Sequence, residues 1–476
     1  CSAGECRSVA HGGRRALHYR AKGFSVTHNP PSSQPVPGAN RSGSDGKIPA
    51  GARPLKVALA GFGTVGRSVA KILCADPGGP LRLISICNRN VQSKKTAALP
   101  ANIRWTDSFD EVVASDADIV VELIGGLEPA GTLIRRALGA GKSVVTANKL
   151  LIAESGPELI ELAAASGQRI EFGASVAGGI PAIMGIEQGL AGDRLFQIQG
   201  ILNGTCNYIL TQMEARGASF ATALAEAQKL GFAEADPSSD IDGIDARAKL
   251  VILTQAGLHM RVRAEQIPCR PISTIEAVDF AYAHDLSCTI RQISSAKKVS
   301  SAAGGRGKLF AAVQPALVPL TSLIAHVEGG RNLVASTGEF SGQMVFSGFG
   351  AGGDPTAVAV VSDLIAIASS SGAAAPRVPV AIEIPESVSG DFTVRHYLRL
   401  VISDRPGIIA ALATVLSRHG ISIDAVLQKP GYPHSALPFV ITIEPCSTSL
   451  LAGALEEIAR MDFHVQPPLR LPIFAD

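Results

Sequence analysis

Aromatic residues make up only 5% of this 476-residue chain, and the formal charges nearly cancel, at +2. No cysteine pair has CxxC spacing. No apolar run reaches the ~18 residues that a spanning helix needs. The near-neutral balance leaves no global electrostatic case for nucleic acid or for acidic membranes as partners. The missing apolar run argues against a membrane protein, and no apolar leader segment suggests secretion. The eight cysteines, Cys1, Cys6, Cys74, Cys87, Cys206, Cys269, Cys288 and Cys446, are scattered. A chain this long needs no disulfide staples, so they read as reduced thiols of a cytoplasmic protein, not as bridges or a zinc site. What is abundant is apolar residues at 46% and glycine, with 49. That mixture suits tightly packed α/β layers with Gly-rich turns, in about three domains.

Residues 1–53 are rich in Gly, Ser, Pro, Arg and His, hold only Glu5 and Asp45 as acids, and show no hydrophobic period. They read as a disordered extension. Their Arg-rich, acid-poor character leaves an organelle transit peptide open. An upstream extension or non-native start is preferred, because the first residue is Cys1. Order is expected from Pro54. Strands Leu55–Ala60, Leu81–Cys87, Ala117–Leu123 and Gly141–Thr146 alternate with helices such as Arg67–Leu73 and Ala130–Leu138. This is the pattern of a parallel sheet with helices on its faces. The expected fold class is α/β, with a Rossmann-type sheet over 54–182 and a mixed catalytic and dimerisation unit over 183–346. A return to the first unit follows over 347–370, then a linker over 371–393 and a small α+β unit over 394–476. Strong helices are expected at Ser219–Leu230 and Ile244–Leu258, and a Gly- and Ser-rich loop at Ser294–Gly307.

Gly61-Phe62-Gly63-Thr64-Val65-Gly66 stands directly between the first strand and the first helix. In that context GxGxxG reads as a dinucleotide site. The first glycine permits the tight turn, the second admits a pyrophosphate, and the third lets helix and strand pack closely. An acid at the end of the second strand would take the ribose hydroxyl of NAD. Here Asn88-Arg89-Asn90 offers Arg89 instead, which favours the 2′-phosphate of NADP, with NAD still possible.

Thr146-Ala147-Asn148-Lys149 ends a strand on the edge where α/β sheets bind ligands. The stretch from Glu234 to Lys249 is dense in carboxylates and enters a helix. Asp245 and Lys249 are four apart, so they share a helical face. The following Leu250-Val251-Ile252-Leu253 is apolar on most sides and should be buried. A lysine at the head of a buried helix, with acids around it, suits proton transfer, and the acids could also hold a substrate ammonium.

Ala227, Gly231, Asp236-Pro237, Asp240, Gly243, Asp245 and Lys249 resemble the signature of the homoserine dehydrogenases. The resemblance runs from Lys56 to about Ala368. It takes in Asn148-Lys149, Ala174 to Pro181, Asn203-Gly204-Thr205, Gly350-Ala351-Gly352 and Pro355-Thr356-Ala357. It implies reversible NAD(P)H-dependent reduction of aspartate-4-semialdehyde to homoserine, a step of threonine, methionine and isoleucine biosynthesis. Lys249 would protonate the aldehyde oxygen, and Lys149 would lie near nicotinamide and substrate. Glu234, Asp240 and Asp245 would bind the amino acid, while Gly231, Gly350 and Gly352 approach the cofactor. The family also implies a sodium ion on the carbonyls of Val176, Gly178 and Ile180. Its usual Glu ligand is replaced here by Gly173, which removes the anionic ligand a hard cation prefers. Cys206 stands where Thr is common and should be a buried, inert thiol. No cysteine suits the thioester route of the phosphorylating aspartate-semialdehyde dehydrogenases. A catalytically dead amino-acid sensor would have lost Lys149 or Lys249, and both are present.

Near the C-terminus, His396 to Ile409, with the turn Asp404-Arg405-Pro406-Gly407, resembles the start of an ACT domain. Gly420-Ile421-Ser422-Ile423 and the final strand–helix pattern fit its βαββαβ order. The resemblance implies a paired domain that binds an amino acid, here threonine, as feedback effector, and a homodimer or larger homo-oligomer. No kinase-like region precedes the Rossmann unit, so the chain reads as monofunctional.

Overall fold

The computed structural model describes residues 53–96, 98–300, 305–370 and 382–474. The expected extension therefore lies outside the described residues, apart from Arg53. Six strands form a parallel sheet: β1 Leu55–Ala60, β2 Leu81–Cys87, β3 Arg104–Thr106, β4 Ile119–Glu122, β5 Ser143–Thr146 and β6 Ile170–Glu171. Their order, β3-β2-β1-β4-β5-β6, reverses between β1 and β4. In doubly wound sheets that switch point is where a ligand crevice opens. The central strands are continuous apolar runs because helices cover both faces. Val57 to Ala60 and all of β4 are buried.

One face of this sheet packs with Val69, Leu73, Val360, Leu364 and Ile367, drawn from the helices Thr64–Ala75 and Gly353–Ser370. The other shares a core with the helices Ala130–Gly139, Lys149–Ala165 and Ile244–Leu258. The last of these is apolar nearly all round, and Leu250, Val251, Ile252 and Leu253 are buried, as that composition requires;.

Ten strands make a second, mixed sheet. β7 Leu195–Ile201, β8 Cys288–Val299, β9 Lys308–Pro319, β10 Arg331–Gly338 and β11 Gly342–Phe349 form one half, in the order β11-β10-β7-β8-β9, and short β12 Val388–Ser389 pairs with β9. Part of the expected loop at Ser294–Gly307 is instead strand, since β8 runs on to Val299. Ser294 to Lys297 pair with β7 on one side and β9 on the other, and this ladder overrides the turn-like composition;. Residues 301–304 of that stretch lie outside the described residues, as do 371–381 of the linker expected over 371–393, and short β12 falls within the rest of it.

The other half of the sheet belongs to the C-terminal unit. β13 Thr393–Ile402, a helix Ile408–Arg418, β14 Ile423–Gln428, β15 Leu437–Ser447, a helix Thr448–Ile458 and β16 His464–Ile473 follow the βαββαβ order. β13 lies between β15 and β16. β16 meets β9 at Ile473 and Leu317, joining the two halves. Behind this seam, Asp279 is fully buried on the helix Ala277–Asp285. It accepts from Tyr397 Oη at 2.7 Å and from Arg399 Nη1 at 3.0 Å. The C-terminal unit is thus tied to the rest by a buried charge as well as by apolar packing. Among the described residues no helix is long and apolar enough to cross a membrane.

Candidate active site

The switch point carries the glycine turn. Gly61 has φ of +104°, and a Cβ there would lie 2.5 Å from the Leu123 carbonyl oxygen. At Gly66 a Cβ would lie 2.2 Å from the Gly61 oxygen, so both positions require glycine;. At Gly63 a Cβ would meet nothing within 4 Å. The helix Thr64–Ala75 begins there with no side-chain cap, which leaves backbone N–H groups free for an anion;. This open cradle fits a dinucleotide pyrophosphate. Phe62 turns its ring into the core against Trp105, so only its backbone can face a cofactor. Asn88 Oδ1 accepts from Phe62 N at 3.3 Å and braces the turn. Arg89 is exposed beside it and makes no ion pair among the described residues.

Past β4 and β5 comes a carboxylate that sequence reasoning missed. Glu122 is fully buried at the C-terminal edge of the sheet. It accepts from Ile124 N at 2.7 Å, Gly125 N at 2.9 Å and Thr146 Oγ1 at 2.6 Å. It thereby fixes the loop after β4 to the end of β5. Asn148 continues this frame, donating to the Gly126 oxygen at 2.6 Å and capping the helix that starts at Lys149.

Lys149 reaches across to the second sheet's helices. Its Nζ is 2.5 Å from Asp245 Oδ1, while Lys249 Nζ is 2.7 Å from Asp245 Oδ2. Lys249 also donates to the Leu202 oxygen at 2.8 Å. Asn203 donates to Asp245 Oδ2 at 2.9 Å and to Asp240 Oδ1 at 2.6 Å, and its own oxygen caps the helix Gly204–Arg216. Burial works to raise the Asp245 carboxyl, but the two ammonium groups outweigh it and hold it well below the usual carboxylate range;. Burial raises Asp240, and the neighbouring Asp245 charge adds to the rise despite the Asn203 hydrogen bond. Cys206 is fully buried, with Sγ 3.1 Å from the Asp240 oxygen, and burial raises its thiol well above the ordinary value;.

The fold therefore brings together Lys149, Lys249, Asp245 and Asp240. Glu234 and Gly231 lie in the exposed loop between Leu230 and Pro237, apart from that contact network. Thr205 Oγ1 ties this loop down through the Phe232 oxygen at 2.7 Å. A second missed residue is Asn332 on β10. Its side chain lies against Gly350, where a Cβ would fall 2.1 Å from Asn332 Oδ1. Asn332 is buried, and its Nδ2 has no partner among the described residues.

Val176 and Gly178 are buried, and their carbonyls accept no hydrogen bond among the described residues; the Ile180 carbonyl accepts from Ala182 N at 2.8 Å. Asp363, from the helix Gly353–Ser370, accepts from Gly173 N at 2.9 Å. A Cβ at Gly173 would lie 2.7 Å from Asp363 Oδ1. A carboxylate thus stands beside the position where the expected glutamate is missing. Carbonyl and carboxylate oxygens are the ligand types that a hard cation takes.

Comparison with known proteins agrees with this geometry. Residues 61–173 match the family described as "Homoserine dehydrogenase, NAD binding domain", residues 181–365 match "Homoserine dehydrogenase", and residues 396–462 match "ACT domain". The chain is 40% identical over 392 residues to a homoserine dehydrogenase of Mycobacterium tuberculosis, covering 80% of this chain and 88% of the relative. It is 38% identical over 422 residues to that of Synechocystis, covering 86% and 96%. Among solved structures, a homoserine dehydrogenase from Thiobacillus denitrificans superposes with a TM-score of 0.81 at 35% identity, over 89% of this chain and 98% of that one. A hyperthermophilic archaeal homoserine dehydrogenase in complex with NADPH superposes with a TM-score of 0.56 at 29% identity, over 66% and 97%. With the glycine turn, the paired lysines and the βαββαβ unit in one chain, and relatives this similar over most of its length, the chain belongs to the homoserine dehydrogenase family.

Proposed function

We propose that the chain reduces L-aspartate-4-semialdehyde to L-homoserine reversibly, with Lys249 giving the proton to the aldehyde oxygen. The observation that carries this reading is the pair of lysines held on Asp245 between the two sheets. When bound, a reduced nicotinamide supplies the hydride for the carbonyl carbon. Two N–H groups of Lys249 are committed to Asp245 and Leu202, which leaves the third for the substrate oxygen;. An ammonium there lowers the barrier as negative charge develops. Lys149 adds a second cation beside the same carboxylate. Asp240 and Glu234 suit the substrate ammonium. Asp245, whose oxygens are already taken, suits the task of orienting both lysines.

The glycine turn from Gly61 to Gly66 would hold the pyrophosphate, and Gly231, Gly350 and Gly352 would line the cofactor's approach. Exposed Arg89, with no acid at the end of β2, supports NADPH over NADH. The NADPH found in the archaeal relative is consistent with that choice. A sodium ion on the carbonyls of Val176, Gly178 and Ile180 would find its anion in Asp363. At the C-terminal unit, the helix Ile408–Arg418 starts at Gly407 with no side-chain cap, beside Asp404, which His434 Nδ1 meets at 2.8 Å. Free N–H groups next to a carboxylate suit a zwitterion such as threonine as feedback effector. Exposed Leu323, Phe340 and Phe349 support a homodimer or larger oligomer as the working unit;.

The test follows NADPH absorbance with aspartate-4-semialdehyde, with and without threonine. Oxidation of NADPH that needs the semialdehyde supports the reading, and none at millimolar substrate would sink it.

A further inference from the structure

A second polar cluster, unused by the catalytic reading, lies at the seam between the two halves of the ten-stranded sheet. Leu398 pairs with Arg470 and His396 with Pro472. His396 and Arg470 are therefore diagonal neighbours on one face of the β13–β16 pair. Arg470 is 5% exposed and His396 is fully buried. Arg470 Nη1 and His396 Nδ1 both lack a hydrogen-bond partner among the described residues. His396 Nε2 is 3.2 Å from the Cys446 oxygen.

The charge of a second arginine reaches this pair: besides burial, that of Arg270 lowers both His396 and Arg470. Arg270 follows the segment that bridges onto β9, with its N–H 2.9 Å from the Val313 oxygen. The same segment rests on the entry to β13, since a Cβ at Gly390 would lie 2.6 Å from Pro268. No ion pair joins either guanidinium to a carboxylate among the described residues. The nearby acid, Asp391, is committed elsewhere. Its oxygens accept from Ser449 N at 2.8 Å and Ser449 Oγ at 2.7 Å, capping the helix Thr448–Ile458.

A guanidinium stays charged in a protein, and a buried charge with no counter-charge is costly. Native structures compensate such groups with a partner, a water or an ion. We propose that this seam binds a small oxyanion that also carries a proton donor, the oxyanion held by Arg470 and Arg270 and the donor accepted by His396 Nδ1. Burial pulls His396 down to about 4, so its ring is neutral at pH 7. With Nε2–H given to Cys446, Nδ1 keeps its lone pair as an acceptor. Burial and then the Arg270 charge pull Arg470 down to about 10, against the raising pull of Cys446 and Asp391. Hydrogen phosphate and a free amino acid share the required chemistry, an oxyanion beside an O–H or N–H donor. The site is separate from the turn at Asp404 to Gly407 and stands independently of the catalytic reading.

The test uses the full chain in an anion-poor buffer at pH 7. The thermal midpoint is followed while inorganic phosphate, glycine or acetate is added, with chloride matching ionic strength. Phosphate or glycine should raise the midpoint saturably, and acetate, which has no donor, should need at least several-fold higher concentration. Arg470→Met should raise the starting midpoint, because an uncompensated buried charge is removed. It should also abolish the saturable rise. Arg270→Ala, at an exposed position, should fold and weaken half-saturation several-fold with turnover unchanged. No saturable rise with phosphate or glycine would overturn the proposal, as would a rise that is the same in both variants. Acetate acting as well as glycine would overturn the role given to His396.

Discussion

Asp245 gives each of its carboxylate oxygens to a different lysine: Oδ1 lies 2.5 Å from Lys149 Nζ and Oδ2 lies 2.7 Å from Lys249 Nζ. Removing one lysine therefore does not leave the buried acid bare. Lys249→Ala should fold and bind dinucleotide as before, because Lys149 and Asn203 still satisfy Asp245. Turnover should fall ~10²–10⁴-fold, the usual worth of a general acid. Steady-state rates, paired with a fluorescence titration of NADPH, check both halves. Near-normal turnover would remove Lys249 from the proton-transfer role.

The two acids at the site titrate in opposite senses. Asp245 is held below the ordinary carboxylate value of about 3.9;. Its stabilising contribution is therefore present above that value and lost as pH falls through the lower one. Asp240 is raised, so its contribution to stability is present below about 3.9 and lost as pH rises through its own value;. Binding of a substrate ammonium needs Asp240 ionised. KM for homoserine should thus climb on acidification while pH is still above 3.9 or so. A KM–pH series should show this limb in the wild type and not in Asp240→Asn. An identical limb in both assigns it to another group.

Arg89 is expected to pay its whole contribution into one cofactor. Arg89→Ala should raise KM for NADPH about tenfold, the loss of a charge-assisted hydrogen bond, and leave KM for NADH within about twofold. Parallel assays with the two cofactors decide it. Equal effects on both would show that Arg89 does not read the 2′-phosphate.

Gly350 and Asn332 should behave as one unit. Gly350→Ala places a Cβ onto the Asn332 side chain and should shift the loop, raising KM for the dinucleotide several-fold. Adding Asn332→Ala removes the two nearest atoms of the clash, leaving Asn332 Cβ at 2.8 Å, and should recover part of that loss, a coupling read by a double-mutant cycle;. Strict additivity would mean that the two do not touch in the working enzyme.

The C-terminal unit cannot be cut away cleanly. Tyr397, Leu471 and Ile473 share a core with Tyr208, Leu210 and Phe280 of the catalytic half. Arg399→Ala would leave the fully buried Asp279 without its 3.0 Å cation. That change should cost about 3–5 kcal/mol, measured by urea unfolding, and Asp279→Asn with Arg399→Met should recover most of it. A cost below about 1 kcal/mol would show that the interface opens readily. Sensitivity to threonine is better tested on the intact chain than on a truncation.

Much of this architecture was readable locally. The glycine turn sits where a strand hands over to a helix, and a spacing of four put Asp245 and Lys249 on one helical face. Strand and helix patterns gave the α/β class, and the resemblance to ACT domains implied the βαββαβ unit; the structure contains both. The residues that went unseen depend on distant partners. Glu122 ends an apolar strand and reads as an ordinary boundary acid until Thr146 is brought beside it. Asn332 has no local pattern, because its neighbours Gly204 and Gly350 come from other elements. Asp363 faces Gly173 from a helix far along the chain, so the loss of one glutamate could be seen and its neighbouring carboxylate could not. The Ser294–Val299 stretch looked like a loop because strand pairing on both sides, not composition, decides its state.

The seam at Ile473 and Leu317 also bears on how the protein is made. β9 emerges from the ribosome long before β16, which follows it by well over a hundred residues. Until β16 arrives, the Leu317 end of β9 offers unpaired N–H and C=O groups together with the apolar surface of the shared core;. Co-translational folding can finish the nucleotide half first, while the seam must wait until β16 has been synthesised. Nascent chains stalled inside the C-terminal unit should therefore be the aggregation-prone species, and chaperone demand should peak there.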